Sequence, residues 1–134
     1  MADKQAVTEA VNRGGMAYDV ADVAALADAF TVDGTFKMTI AGGPEIRFEG
    51  REAIRQLFAD SLAAQDDQRR HVISNLCFDD ETADSITAKS YLTLLVVKDG
   101  ALTVLSCGMY TDRFVLDSGT WRMRERFLQL DRGY

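Results

Sequence analysis

Histidine and proline each occur once in this chain and cysteine only twice, and each scarcity excludes something. With His71 as the sole imidazole and no paired-cysteine motif, a metal cluster has no ligand set, so no metal is expected. No glycine-rich phosphate loop is present, so no cofactor is expected. Cys77 and Cys107 lie inside apolar, strand-like stretches, which predicts two reduced, buried thiols rather than a disulfide. No apolar run approaches the roughly 18 to 20 residues of a membrane span. The first residues, Met-Ala-Asp-Lys-Gln, lack a basic stretch followed by an apolar core, so the expected location is cytoplasmic. A basic surplus is missing too. Lysine and arginine total 15 against 21 acidic residues, a net charge of −6, which argues against nucleic acid and anionic membranes. The one basic concentration, Arg122, Arg124 and Arg126, alternates with Trp121, Met123, Glu125 and Phe127 and reads as one face of a strand.

What the chain does have is an ordinary globular balance, 47% hydrophobic and 27% charged over 134 residues. That length suits a single domain over 1–134, with no repeat, low-complexity tract or linker to divide it. Val7, Val11, Gly14 and Tyr18 recur at helical spacing and predict a first helix from Lys4 to Tyr18. Gly14 and Gly15 weaken it by about 1 kcal/mol each relative to alanine, which points to close packing or to a break. Asp22 is a good N-cap for a short second helix with Val23, Leu26, Ala27 and Phe30 on its buried side. Asp33-Gly34 predicts a turn, followed by a strand from Thr35 to Ile40. The loop Ala41-Gly42-Gly43-Pro44 then returns the chain as a second strand, Glu45 to Glu49. A third helix spans about Arg51 to Ala64, with Ile54, Leu57, Phe58 and Leu62 on one face.

Everything after Arg69 reads as strand: Arg70 to Phe78, Ser85 to Val97, Ala101 to Val115 and Thr120 to Leu130, separated by Asp- and Gly-rich turns. Helices first and long strands after is the α+β order, with three helices on one face of an antiparallel sheet. Neither face of these strands is clearly polar. In the first, His71, Ile73, Asn75 and Cys77 share one parity against Val72, Ser74, Leu76 and Phe78; in the second, Ile86, Ala88, Leu92 and Leu94 oppose Tyr91, Leu95 and Val97. A sheet with one wet face alternates more cleanly, so a homodimer through the sheet is expected.

With the elements placed, several segments resemble the SnoaL-like branch of the NTF2-like proteins. Leu26-Ala-Asp-Ala-Phe30-Thr-Val-Asp33-Gly34-Thr-Phe36 is similar to that family's second helix and turn, and Gly50-Arg51-Glu52-Ala53-Ile54 to the start of its third helix. Arg70-His71-Val72-Ile73-Ser74-Asn75 resembles its His-x-x-x-Asn strand. The run from Gly108 through Tyr110, Asp112, Arg113 and Phe114 to Gly119, Trp121 and Arg122 resembles its final hairpin. The resemblance implies a cone, three N-terminal helices packed on a curved, mostly antiparallel sheet that encloses a largely apolar pocket for a small apolar or cyclic molecule. Relatives include scytalone dehydratase, a dehydrochlorinase, bile-acid dehydratase, steroid isomerase, polyketide cyclases and noncatalytic subunits of ring-hydroxylating oxygenases. Fold alone does not choose among them.

In the dehydratase and dehydrochlorinase relatives an aspartate after the first helix holds a histidine base on the first long strand. Asp19 and His71 occupy the matching places, so the resemblance makes His71 the base and Asp19 its partner. Imidazole titrates near neutral pH and can take a proton and return it, while a carboxylate on its other nitrogen fixes the tautomer. Asp19 is also suited to ending one helix or capping the next. Tyr18 resembles the tyrosine that helps bind a catalytic water in scytalone dehydratase, and it also completes an apolar helical stripe. Asn75 is open between the pocket and a backbone bond. Tyr110 and Asp112 are candidates for the pocket mouth, Met38 for a ligand contact. Arg69 is open between an anionic substrate at the rim and a solvated strand end.

Departures from the relatives narrow the reading. Steroid isomerases place a carboxylate base where this chain has Phe36, Lys37 and Met38, and a tyrosine near Gly14-Gly15; scytalone dehydratase uses a second histidine, which is absent. The expectation is therefore a lyase or isomerase of dehydratase or cyclase type. Its alternative is a noncatalytic binding or assembly module like an oxygenase small subunit.

Overall fold

The first helix, α1 (Lys4–Asp19), begins where the Asp3 carboxylate accepts a hydrogen bond from the Ala6 N–H and satisfies one of the helix's unpaired donors. It runs through Gly14-Gly15 without a break and buries Val7, Val11, Gly15 and Ala17. Asp22 caps α2 (Val23–Asp28) in the same way, accepting from the Ala25 N–H. This computed structural model describes residues 1–134 throughout.

The second helix is shorter than its apolar pattern implies. Phe30 opens β1 (Phe30–Ile40) instead, because its backbone pairs alongside Met123 in β6 (Thr120–Leu130). Asp33-Gly34 is likewise no turn. The strand passes through it with a shift of register between Phe30 and Thr35. Strand β2 (Ile46–Glu49) folds back on β1 as the predicted hairpin, and α3 (Arg51–Ala63) follows. Then come β3 (Gln68–Asp79), β4 (Ser85–Lys98), β5 (Ala101–Asp117) and β6.

These form one six-stranded sheet in the order β2-β1-β6-β5-β4-β3, antiparallel except for the β1–β6 pair. Three helices on a curved sheet reproduce the expected α+β arrangement. The core lies between them, built from Val7, Val11, Leu26, Phe36, Ile54, Phe58, Leu92 and Phe114 among others. The sheet also alternates more cleanly than its composition implies. In β4, Ile86, Ala88, Ser90, Leu92, Leu94 and Val96 are all buried, while Lys89, Tyr91 and Val97 face out.

Two β-bulges overturn parities read from the sequence. Between Ser74 and Cys77 the β3 chain carries one residue more than β4 opposite it. Asn75 takes up the excess with a left-handed backbone, φ +57°, a conformation asparagine tolerates better than most residues. His71 and Ile73 therefore face inward, but Asn75 is exposed and Cys77 is turned to the outer face. Cys107 is on that face as well, so neither thiol is buried. A second bulge, where β5 passes from Arg113 to Phe114, splits the arginine trio. Arg126 is buried, Arg124 is exposed, and Arg122 binds Asp28 on α2.

Candidate functional site

The end of α1 and the start of β3 are tied together at one point. Gln68 donates to the carbonyl of Asp19 at 2.8 Å, and the His71 backbone N–H donates to both Asp19 carboxylate oxygens, at 3.0 and 3.2 Å. The His71 ring then meets the same carboxylate, Nδ1 to Oδ1, at 2.7 Å. An ionised carboxylate only accepts, so Nδ1 carries the proton and the Nε2 lone pair is left free. Both side chains are almost fully enclosed, 9% and 7% exposed.

Gly15 makes this approach possible. A Cβ there would come within 3.2 Å of the His71 Cβ, so the glycine whose role was open serves close packing. Tyr18 covers the imidazole from α1, its ring centroid 4.6 Å away, and donates its hydroxyl proton to Gln65 at 2.8 Å. Burial pushes the His71 pKa below its ordinary value; Asp19 opposes that shift, while Arg126 and Arg69 reinforce it. The histidine is thus neutral at pH 7.

His71 and Tyr18 line a cavity of about 70 Å³ between the helices and the sheet. That space exceeds what a single water requires. Of its 20 lining residues 14 are hydrophobic, including Phe36, Met38, Phe58 and Leu92. Tyr110 lines it too, buried rather than at a mouth, and burial pushes its pKa up to about 12. Met38 and Tyr110 are therefore brought to the same cavity as His71, and Asn75 is not. Asp112 stands behind the wall, fully buried, where it accepts from Arg126 Nε at 2.8 Å and Nη2 at 3.0 Å. Burial disfavours the Arg126 charge, and Asp112 and Tyr110 together outweigh it, leaving the guanidinium pKa above its ordinary value. The same guanidinium stacks 3.9 Å from the Tyr110 ring centre.

Arg69 is not a solvated strand end. It is 8% exposed, lines the cavity, and holds Asp67 through Nε at 2.7 Å. The inward turn of Arg126 was hidden in the sequence by the β6 bulge. The partial signal was Asp112, a lone carboxylate on an otherwise apolar strand face, which requires a cation.

A family model for the SnoaL-like domain matches residues 1–127. The chain belongs to that family. Solved structures place it in the same fold. A protein from Catenulispora acidiphila, in complex with S-DNPA, is 26% identical with a TM-score of 0.83, covering 96% of this chain and 92% of its own. An NTF2-like protein with a cystatin-like fold from Novosphingobium aromaticivorans is 22% identical with a TM-score of 0.84, covering 98% and 84%. A protein from the same organism, described as a candidate β subunit of an aromatic-ring-hydroxylating dioxygenase, is 17% identical with a TM-score of 0.84, covering 97% and 90%. Among curated proteins none matches. No helix of this SnoaL-like protein is long and apolar enough to cross a membrane.

Proposed function

We propose that this SnoaL-like protein is a small-molecule lyase or isomerase in which His71 abstracts a proton beside an activating group of a cyclic, mostly apolar substrate. The observation that carries this reading is the 2.7 Å contact between Asp19 and His71 Nδ1, which leaves Nε2 without a protein partner in an apolar cavity. In a dehydration, Nε2 takes the proton from the carbon next to a carbonyl. The electrons of that C–H bond form the new double bond, and the departing hydroxide takes the proton back from the imidazolium as water. Asp19 stabilises the imidazolium in between, more strongly for being shielded from water. A polyketide-type cyclisation starts with the same abstraction. Tyr18 donates to Gln65, so its role here is to pack over the imidazole and offer an oxygen lone pair to a bound water.

The test is proton exchange into a simple probe, 2-tetralone in D2O, followed by NMR. Wild-type protein should accelerate α-proton exchange, and His71→Ala should lower that by about 100-fold or more while its circular dichroism is unchanged. Equal exchange by wild type and variant, or none by either, counts against the base. Similarity to the candidate dioxygenase β subunit favours the second reading, a noncatalytic binding or assembly module. We take the unit to be the whole of residues 1–134, in the cytoplasm, with no metal or cofactor in the reaction. Its partner would be a second copy on the outer sheet face, where Val72, Tyr91, Val97, Leu102 and Val104 are exposed together.

A further inference from the structure

The charges around the cavity are sorted by depth. Arg69 and Arg126 are among the lining residues, and no aspartate or glutamate is. The carboxylates that offset them stand behind: Asp112 bonds Arg126 through Nε and Nη2, and Asp67 bonds Arg69 through Nε at 2.7 Å and Nη2 at 3.4 Å. Each guanidinium thus spends two nitrogens on a carboxylate and keeps Nη1. For Arg69 that atom is buried and has no hydrogen-bond partner. A buried N–H of a charged group left unpaired is costly, and native structures fill such positions with a partner. The lining offers no carboxylate, and its hydroxyls, on Ser61, Tyr18, Tyr110 and Tyr134, do not bond this atom.

We propose that the cavity takes a cyclic ligand bearing an anionic oxygen, a carboxylate or phenolate, and that Arg69 Nη1 is the donor that recognises it. Arg69 and His71 are two residues apart on the inward face of β3, their backbone positions about 6.6 Å apart along the strand, and both side chains line the cavity. The ligand's apolar ring then lies against Phe36, Phe58 and Leu92, with its acidic group at Arg69 and its reacting carbon at Nε2. Arg126 adds a second positive charge to the same wall. The proposal deepens the first functional reading and rests on it in taking this cavity as the substrate site. It does not require His71 to act as a base.

Calorimetric titration with 2-naphthoate and with 2-naphthamide, two ligands of nearly one shape and different charge, tests it directly. Wild-type protein should bind the acid about tenfold or more tightly than the amide. Arg69→Met, which keeps length without donors, should remove that preference by weakening the acid and leaving the amide unchanged. Arg69→Lys, which restores the charge without the fork, should recover part of it and covers the case in which the methionine variant does not fold. His71→Ala should leave the preference intact, so that a failed base and a failed anion site give different results. Equal affinity of wild type for acid and amide, no binding of the acid at millimolar concentration, or a preference unchanged in the Arg69 variants would overturn it.

Discussion

The residue that organises the site is His71, and its pH behaviour follows from where it sits. Burial lowers its pKa from the ordinary 6.5, and Asp19 only partly restores it. The neutral form is therefore the one the fold prefers. As pH falls below 6.5 the unfolded chain takes up the proton first, so stability contributed by the neutral ring is whole above that value and declines toward the lowered folded value. Melting wild type and His71→Gln between about pH 7 and pH 5 should show the wild type losing more on acidification. A wild type that gains stability relative to the variant on acidification would mean that the pKa is raised instead. The same shift sets catalysis: the acid limb of kcat/KM should lie below pH 6.5, since Nε2 must be unprotonated to act.

Among the elements, contacts that a glycine allows are the most sensitive. A Cβ at Gly108 would stand 2.2 Å from the Gln129 carbonyl oxygen, an overlap that only separation of β5 and β6 relieves. Gly108→Ala should cost about 2 to 4 kcal/mol in chemical denaturation, and a cost below 1 would show that the strands give way easily. Gly15→Ala behaves differently. The helix gains up to about 1 kcal/mol of propensity while His71 is pushed by a few tenths of an ångström. Stability should hold within about 1 kcal/mol while exchange activity falls several-fold, because proton transfer is more sensitive to placement than packing is. Element order and the hairpin were legible in the sequence, since period and turn residues carry them, while the buried side of β4 was not, because both its faces are largely apolar in composition. The side on which Asn75, Cys77, Arg124 and Arg126 fall was not. One inserted residue flips every side chain beyond it, and composition does not mark the insertion. His71 precedes the bulge and keeps its parity, and its pairing with Asp19 was implied by the resemblance to the SnoaL-like family rather than by the helical or strand pattern. Arg69 has the parity of His71, yet an arginine near a strand end gives no sign that it will be enclosed.

At the scale of the molecule, the cone presents its helices and inner sheet face to the cavity and leaves the other sheet face to solvent. Exposed Val72, Tyr91, Val97, Leu102 and Val104 fall on that outer face by register. Sedimentation at micromolar concentration should show a dimer, and Val104→Lys should shift it toward monomer without loss of fold. Monomeric wild type would mean that these side chains are simply surface.

The central claim is that Asp19 holds His71 with its proton on Nδ1 and its Nε2 lone pair facing the cavity. Because the chain has one histidine, its imidazole nitrogens can be read in a ¹⁵N NMR spectrum without assignment. A pH titration of that spectrum should show a neutral ring at pH 7, the Nδ1–H tautomer, and a midpoint below 6.5. A proton on Nε2, or a midpoint at or above 6.5, would contradict it.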